Sequence, residues 1–224
     1  MSVTEREKGS PRQTWTLGDS CISMHLGTHI DPVINVRCIA LADAVEWLRV
    51  PGVRDVVPTY NAVTVHFDPL VTDSARLTRE LERLATSDLP SAVSTNRTVE
   101  IPVVYGGDSG PDLGAVAEFA ECSEEDVVRL HASRAYRVYM LGFLPGFAYM
   151  GVVDSRIAMP RLDAPRLRVV AGSVGIAASQ TGIYPCDTPG GWRIIGRAST
   201  KVFDATRREP FLLRAGDSVT FVPV

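Results

Sequence analysis

The sequence predicts an α+β protein in which a small two-layer domain precedes a larger, β-rich domain. In the first half, helical periodicity alternates with short strand patterns, as expected where helices cover one face of a sheet. From Tyr136 onward the periodicity is two or absent, and nine of the 18 glycines lie between Gly142 and Gly196. Many short strands joined by glycine turns are typical of a closed barrel or a sandwich.

The N-terminal half is predicted to follow the order strand, helix, strand, strand, helix. Residues 15–25 form two short extended pieces around a turn at Gly18-Asp19. A helix follows, because apolar residues recur at the spacing of one helical face. These residues are Leu41, Ala44, Val45 and Leu48. Pro51-Gly52 is expected to stop this helix, since proline cannot continue it.

The next three elements complete a two-layer sandwich. Residues 53–58 predict a strand, and residues 62–68 alternate in polarity like a half-buried strand. His66 falls on the polar side of this strand, so we expect it on the open face of the sheet. Asp73 is positioned to cap a second helix. The apolar stripe of that helix consists of Leu77, Leu81 and Leu84.

Residues 88–98 are polar and lack periodicity, which indicates a linker. We therefore predict a flexible tail over residues 1–13, an N-terminal domain over 14–92 and a β-rich domain over 93–224. The strand over residues 100–105 could pair with either domain. Asp112 is a candidate N-cap for a following helix, and Ser123 with Asp126 has the form of a capping box. His131 lies on the apolar side of that second helix, which favours a core position.

Composition excludes several functions. The net charge of −3 and the pI near 5.8 argue against general nucleic-acid binding, which needs a basic face. The four cysteines lie far apart and no cluster of metal-ligand residues exists, so no metal site is predicted. The sequence has neither a P-loop nor a nucleophile elbow. A polar N-terminus and no apolar run of membrane-spanning length predict a cytoplasmic protein.

The glycine-rich stretch also concentrates arginine. Six arginines, three aspartates and no glutamate or lysine lie between Asp154 and Thr200. Guanidinium groups suit the recognition of carboxylate or phosphate. The candidate site residues are Arg161, Arg166, Arg168, Ser173, Gln180, Thr181, Tyr184, Trp192 and Arg197. They predict a polar, arginine-bearing site but no particular reaction.

Four long segments in this region carry a resemblance to a known family. They are GFLPGFAYMG, PRLDAPR, VVAGSVGIAASQTGIYP and TPGGWRIIGR, and IPVVYGGDSGPDL and VVRLHASRAYRVYMLGF precede them. The chain resembles the bacterial family whose members are called the B subunit of 5-oxoprolinase, subunit 1 of allophanate hydrolase, or the KipI inhibitor of a histidine kinase. The departures are mild: Val170 stands where the family usually has proline, and Ala198 stands where it usually has threonine.

The resemblance implies a small N-terminal α/β sandwich followed by a cyclophilin-like β-barrel. It implies a homologous second subunit with a similar barrel, and a third subunit. Such a complex opens 5-oxoproline to glutamate with ATP hydrolysis, so ATP is expected at the level of the complex and no cofactor is expected to be covalently bound. Related pairs occur fused inside urea carboxylase. The chain alone is not expected to be active.

Within that family we predict Gln180, Thr181 and Tyr184 as substrate contacts. Three arginines are predicted to bind the anionic groups: Arg166, Arg168 and Arg197. Ser173 completes the predicted substrate-binding set. No catalytic residue can be assigned. Three aromatic residues are expected to line the barrel wall or a partner interface: Phe143, Phe147 and Tyr149. Cys186 is not favoured as a nucleophile.

Alternative functions remain open at this point. One is a KipI-like regulatory protein that inhibits a histidine kinase through its barrel surface. Another is a carboxyltransferase or allophanate-hydrolase type of subunit, and the carboxyltransferase would need a separate biotin carrier. A prolyl isomerase is suggested by barrel shape alone, and shape does not imply function.

Overall fold

A computed structural model describes residues 13–87, 89 and 97–224. The chain divides into two compact units, one within residues 1–94 and the other within 95–224. The predicted tail covers residues 1–13, of which 1–12 lie outside the described residues. The predicted boundary between residues 92 and 93 also lies outside them. No helix in the described part of the chain is long and apolar enough to cross a membrane.

The first unit is a four-stranded antiparallel sheet with two helices, counted over its described residues. The elements are β1 (Gln13–Thr16), β2 (Cys21–His25), α1 (Pro32–Trp47), β3 (Val53–Pro58), β4 (Ala62–Phe67) and α2 (Ser74–Thr86). The strand order is β1-β2-β4-β3. The predicted order is confirmed from β2 to α2, and the two extended pieces predicted over residues 15–25 are separate strands, β1 and β2.

Local capping and one apolar sheet face explain this unit. The Asp31 carboxylate accepts from the amide of Val33 at 2.7 Å and starts α1, and the Asp73 carboxylate starts α2 in the same way. The inward side chains of β4 and the leucine stripe of α2 are buried in one apolar cluster, as predicted. His66 is exposed, as predicted. Leu48 lies beyond the end of α1 and is exposed rather than part of its apolar face.

The second unit contains two short helices and nine strands from β5 onward among its described residues. The elements are β5 (Thr98–Tyr105), α3 (Leu113–Phe119), α4 (Glu124–Ala132), β6 (Ala135–Leu141), β7 (Ala148–Gly151), β8 (Arg166–Val169), β9 (Ser173–Ala177), β10 (Gln180–Ile183), β11 (Thr188–Gly190), β12 (Arg193–Ala198) and β13 (Ser218–Pro223).

Seven of these strands form a closed barrel in the order β10-β7-β6-β13-β5-β12-β9, and β9 pairs with β10 to complete it. The pair β5–β13 is parallel, and the other barrel pairs are antiparallel. Strand β5 therefore belongs to the barrel and not to the first unit. Strands β8 and β11 form a separate two-stranded ribbon. The predicted α+β class with a β-barrel is confirmed.

Two sequence predictions in this unit need correction. The sequence pattern of residues 211–213 predicts a short strand, but the segment contributes only an isolated bridge between Phe211 and Phe203. Asp112 directly precedes α3, but its carboxylate does not cap that helix. The capping box of Ser123 and Asp126 at the start of α4 is confirmed.

Two leucines of the first unit test the assignment of its core. Leu81 is fully buried and Leu70 is 95% exposed. We expect Leu81→Ala to lower the free energy of unfolding by about 2–5 kcal/mol, because it removes buried apolar contacts and leaves a cavity. Leu70→Ala should change it by less than about 0.5 kcal/mol. Urea denaturation followed by circular dichroism measures both, and equal effects would contradict the assignment.

Candidate functional site

The candidate site is a groove of about 300 Å³ on the outside of the barrel. We call it the aromatic groove. Its lining consists of Phe143, Phe147, Tyr149, Arg161, Pro165, Tyr184, Pro189, Gly190, Gly191 and Trp192. The volume is at the lower end of the range for small-molecule sites, which are mostly apolar clefts with a few placed polar groups.

Phe147 is the centre of the groove's aromatic cluster. It is 1% exposed. It meets Tyr149, Tyr184 and Trp192 edge-to-face, with ring centroids 4.9, 5.2 and 5.3 Å away. Edge-to-face pairs stabilise one relative orientation of the rings beyond their burial alone. The groove is therefore a shaped aromatic surface rather than a loose apolar patch.

The turn between β6 and β7 presents the first aromatic residues. The amide of Gly142 donates to the carbonyl of Phe147 at 3.1 Å, which closes the turn. Phe143 sits in this turn with a φ of 66°, an uncommon conformation for a residue with a side chain, and the residue is 61% exposed. Non-glycine residues in this conformation occur preferentially at functional sites.

Two adjacent chain segments contribute most of the groove's lining. We call residues 161–165 the first wall and residues 184–192 the second wall. The amide of Leu162 in the first wall donates to the carbonyl of Gly191 in the second at 2.7 Å. Directly next to the walls, Arg193 Nε donates to the carbonyl of Pro160 at 3.1 Å. Direct hydrogen bonds therefore couple the two walls.

The base of the groove is nearly closed to solvent. Tyr184 is 1% exposed. Its hydroxyl oxygen accepts from the backbone amide of Trp192, while burial raises the pKa of the hydroxyl. A Cβ at Gly190 would lie 2.5 Å from that hydroxyl oxygen. Glycine at position 190 thus lets the second wall pack against the phenol ring.

Together, these groups can bind a small, flat and negatively charged molecule. The aromatic rings offer faces and edges for a planar ring, and the Arg161 side chain brings a cation to the lining. Backbone groups of Gly190 and Gly191 border the same space. Within the described residues, no group of three or more His, Cys, Asp or Glu side chains is placed to hold a metal ion.

The structure brings only some of the predicted residues to the groove. Tyr184 lines it, as do Arg161 and Trp192 from the initial candidate set. Arg166 lies on β8 opposite Gly190 of β11 and forms an ion pair with Asp112. Arg168 lies on the same ribbon, where its exposed side chain pairs with Asp187 at 2.7 Å.

The other four predicted residues lie on the barrel strands. Ser173 is buried on β9 directly opposite Arg197 of β12. Gln180, partly buried, opens β10 and has the same strand face as Gly182. A Cβ at Gly182 would lie 3.1 Å from both Phe147 and Trp192, so this face looks toward the aromatic cluster. Thr181 points the other way, into the barrel.

Thr181 belongs to a buried polar network built around His131, which is fully buried in the core as predicted. Nδ1 of His131 lies 2.7 Å from the Tyr105 hydroxyl, and Nε2 lies 2.9 Å from the Thr181 hydroxyl. The Thr181 hydroxyl donates to the carbonyl of Gly175 at 3.0 Å. It therefore accepts from Nε2–H, and Nδ1 accepts from Tyr105. The network joins α4 to three barrel strands.

Sequence reasoning missed two parts of the site. It placed Phe143, Phe147 and Tyr149 on the barrel wall or a partner interface, whereas all three line the groove. Their close spacing within one glycine-containing turn was the available signal. It also missed Asp112, whose carboxylate accepts from the Ile194 amide and from Arg166, both at 2.6 Å. Its position before a helix suggested a cap, and no local pattern shows a contact 82 residues away.

Known proteins resemble this chain over most of its length. The family model of the carboxyltransferase domain, subdomains C and D, matches residues 13–213. The 5-oxoprolinase B subunit of Bacillus subtilis (strain 168) is 39% identical over 218 residues, covering 93% of this chain and 91% of the relative. The 5-oxoprolinase B subunit of Escherichia coli O157:H7 is 42% identical over 213 residues, covering 93% and 94%.

A solved structure shares the fold as well. The crystal structure of TTHA0988 superimposes with a TM-score of 0.82 at 40% identity. The match covers 91% of this chain but only 39% of that one, so the chain spans well under half of the length of TTHA0988.

The buried histidine predicts a specific pH dependence of stability. Burial, followed by the positive charge of Arg134, lowers the pKa of His131 from 6.5 to about 3. As the pH falls, His131 takes up a proton in the unfolded state at a higher pH than in the folded state. The contribution of the neutral histidine to the free energy of unfolding is therefore complete above pH 6.5 and is lost as the pH falls toward 3. Between pH 7 and pH 5 we expect this residue alone to reduce the free energy of unfolding by about 2 kcal/mol.

The control is the His131→Gln variant, because the glutamine side chain has no titratable group. Urea denaturation of both proteins at pH 7 and pH 5 measures the difference. If the two proteins lose the same stability over this interval, His131 does not have the lowered pKa.

Two adjacent glycines test the packing of the second wall. We expect Gly190→Ala to destabilise the protein by about 1–3 kcal/mol, because its Cβ would overlap the Tyr184 phenol. Gly191→Ala is the matched control, since its Cβ would meet nothing closer than 3.6 Å. Thermal unfolding midpoints of the two variants provide the comparison, and similar midpoints would contradict the packing.

Proposed function

We propose that this chain, which belongs to the family of the carboxyltransferase domain, subdomains C and D, is the B subunit of a multi-subunit 5-oxoprolinase. Two relatives with this name align over nearly their whole length. The complex opens the lactam of 5-oxoproline to glutamate and hydrolyses ATP in the same cycle. In the overall balance, 5-oxoproline, ATP and two waters give glutamate, ADP and phosphate.

The aromatic groove is the observation that carries the assignment of substrate binding to this chain. 5-Oxoproline is a single planar lactam ring with one carboxylate, and the groove has the size and lining for such a molecule. The ring would lie against Phe143 and Trp192, and the carboxylate would pair with Arg161. Charge-assisted bonds of this kind are stronger and more directional than neutral ones.

Opening the lactam depends on substrate binding and charge stabilisation more than on a protein nucleophile. A lactam is a poor electrophile, so phosphoryl transfer from ATP to its oxygen would activate it. ADP leaves in that step, one water adds to the activated carbon, the ring C–N bond breaks to give an acyl phosphate, and a second water releases phosphate. Preorganised donors stabilise the negative charge on the transferring phosphoryl group and on the departing phosphate. The other predicted contacts remain candidates for this stabilising role, namely Gln180, Arg166, Arg168, Arg197 and Ser173.

Further subunits complete the enzyme in this proposal. They are a homologous second subunit with its own barrel and a third subunit, and ATP is bound at the level of the complex. The groove lies on the outside of the barrel, where a second protein can reach it. Activity is therefore proposed for the complex and not for this chain alone.

Reconstitution tests the proposal. We expect a mixture of this chain, the homologous second subunit and the third subunit to release ADP in response to 5-oxoproline. The same mixture without this chain should not respond. If ADP release ignores 5-oxoproline while the subunits still co-purify, the substrate assignment fails and a regulatory or carboxyltransferase-type role replaces it.

One substitution tests the groove within that assay. We expect Arg161→Gln to raise the KM for 5-oxoproline by about 10- to 100-fold, because a charge-assisted bond to the carboxylate is lost. Arg129→Gln is the matched control: Arg129 is an exposed arginine of the same unit, and it pairs with Asp126 on α4. Equal KM values for the two variants would remove Arg161 from the site.

A further inference from the structure

The two walls of the aromatic groove run into residues that meet at one carboxylate. The first wall, residues 161–165, continues directly into Arg166 at the start of β8. The second wall, residues 184–192, continues through Arg193 to Ile194 on β12. Both Arg166 and Ile194 bind Asp112. Asp112 lies outside the groove lining and is only 6% exposed.

The carboxylate uses its two oxygens to bridge the residues that follow the two walls. Oδ1 accepts from Arg166 Nη2 at 2.6 Å, and Oδ2 accepts from the backbone amide of Ile194 at 2.6 Å. The amide of Asp112 in turn donates to the carbonyl of Ile194 at 2.9 Å. Charged acceptors form short, strong hydrogen bonds, so the positions of the two wall ends are tightly coupled.

Asp112 is itself held firmly against the barrel. The amide of Gly106 donates to the carbonyl of Ile195 at 3.1 Å, and the amide of Gly110 donates to the carbonyl of Gly106 at 2.8 Å. A Cβ at Gly110 would overlap the carbonyl of Ile195, so only glycine permits this approach. The glycine-rich segment of residues 106–112 thus forms a fixed base from which the carboxylate reaches both walls.

Within the described residues, Asp112 is the ion-pair partner of Arg166. Its Nη1 is buried and has no hydrogen-bond acceptor among the described residues. Without the carboxylate, a partly buried guanidinium would lose its counter-charge and the buried amide of Ile194 would lose its acceptor. Groups left unpaired in this way move toward water or toward new partners, because leaving them buried is costly.

We propose that Asp112 is a positioning residue of the aromatic groove, which anchors the ends of its two paired walls to the barrel by holding Arg166 and Ile194 at once. The identity of the bound molecule rests on the proposed function, but the effect on the walls does not. Asp112→Asn keeps the size of the side chain and one acceptor oxygen, while it removes the charge and the second acceptor. The ends of the walls then lose this anchor to the barrel, while the direct hydrogen bond between Leu162 and Gly191 remains.

Trp192 reports on the second wall without any substrate. The other two tryptophans, Trp15 and Trp47, lie exposed in the first unit, so Trp15→Phe with Trp47→Phe leaves Trp192 as the sole tryptophan. In this background we expect Asp112→Asn to raise the acrylamide quenching constant of Trp192 at least about 2-fold, because the fixed wall is lost. Asp204→Asn is the control: it removes a carboxylate of the same unit, paired with Arg207, away from the groove lining.

Activity of the reconstituted complex provides the second readout. We expect Asp112→Asn to lower kcat/KM for 5-oxoproline by about 10- to 100-fold, since small misplacements of binding groups cost this much. Asp204→Asn should retain the parent value. An Asp112→Glu variant keeps the charge with a longer reach, and we expect it to recover part of both readouts.

The outcomes separate the positioning role from the proposed function. If Trp192 quenching is unchanged in folded Asp112→Asn, the positioning role is overturned whatever the substrate. If quenching rises but 5-oxoproline stimulates neither variant nor parent, the positioning role stands and the proposed function fails. Should Asp112→Asn not fold, Arg166→Met removes the same ion pair and keeps the Ile194 contact. An unchanged Trp192 signal in Arg166→Met would then overturn the proposal.

Discussion

Closure of the β-barrel is the constraint on which the rest of the second unit depends. The parallel pairing of β5 with β13 places the first and last strands of this unit side by side, and the pairing of β9 with β10 completes the circle. Closure pairs the strand edges that would otherwise be left open. It also divides side chains between a packed interior and an outer surface, and the aromatic groove belongs to that outer surface.

The barrel interior contains a polar network that is internally satisfied. His131, Tyr105 and Thr181 bind one another in a fixed donor order, and the Tyr136 hydroxyl donates to the backbone carbonyl of His131 at 2.8 Å. A buried polar network is stable when each member has its partner, and it then specifies one arrangement of the strands. This explains why a histidine and a threonine occupy a core that is otherwise apolar.

Unlike the barrel interior, the groove exposes side chains and backbone groups that a ligand can contact. Its aromatic rings are fixed by edge-to-face contacts, while backbone groups of the second wall and the Arg161 side chain border open space. Such a surface offers aromatic faces and one cation to a small acidic molecule. Asp112 supports the groove from outside its lining, because its carboxylate binds Arg166 and Ile194, the residues that follow the two walls.

The sequence by itself determined the family and those helices and strands whose signals are local. Alternation predicted β4, the Asp73 cap and the leucine stripe predicted α2, and Ser123 with Asp126 predicted the start of α4, because each signal lies within one element. Only the tertiary structure decided which of the candidate polar residues reach the groove. Thr181 and Gln180 are neighbours on β10 but face opposite sides of the barrel wall, and the strand's orientation depends on its distant partners. Asp112 was predicted as a helix cap, and its actual partners lie 54 and 82 residues away, where no short-range pattern can identify them.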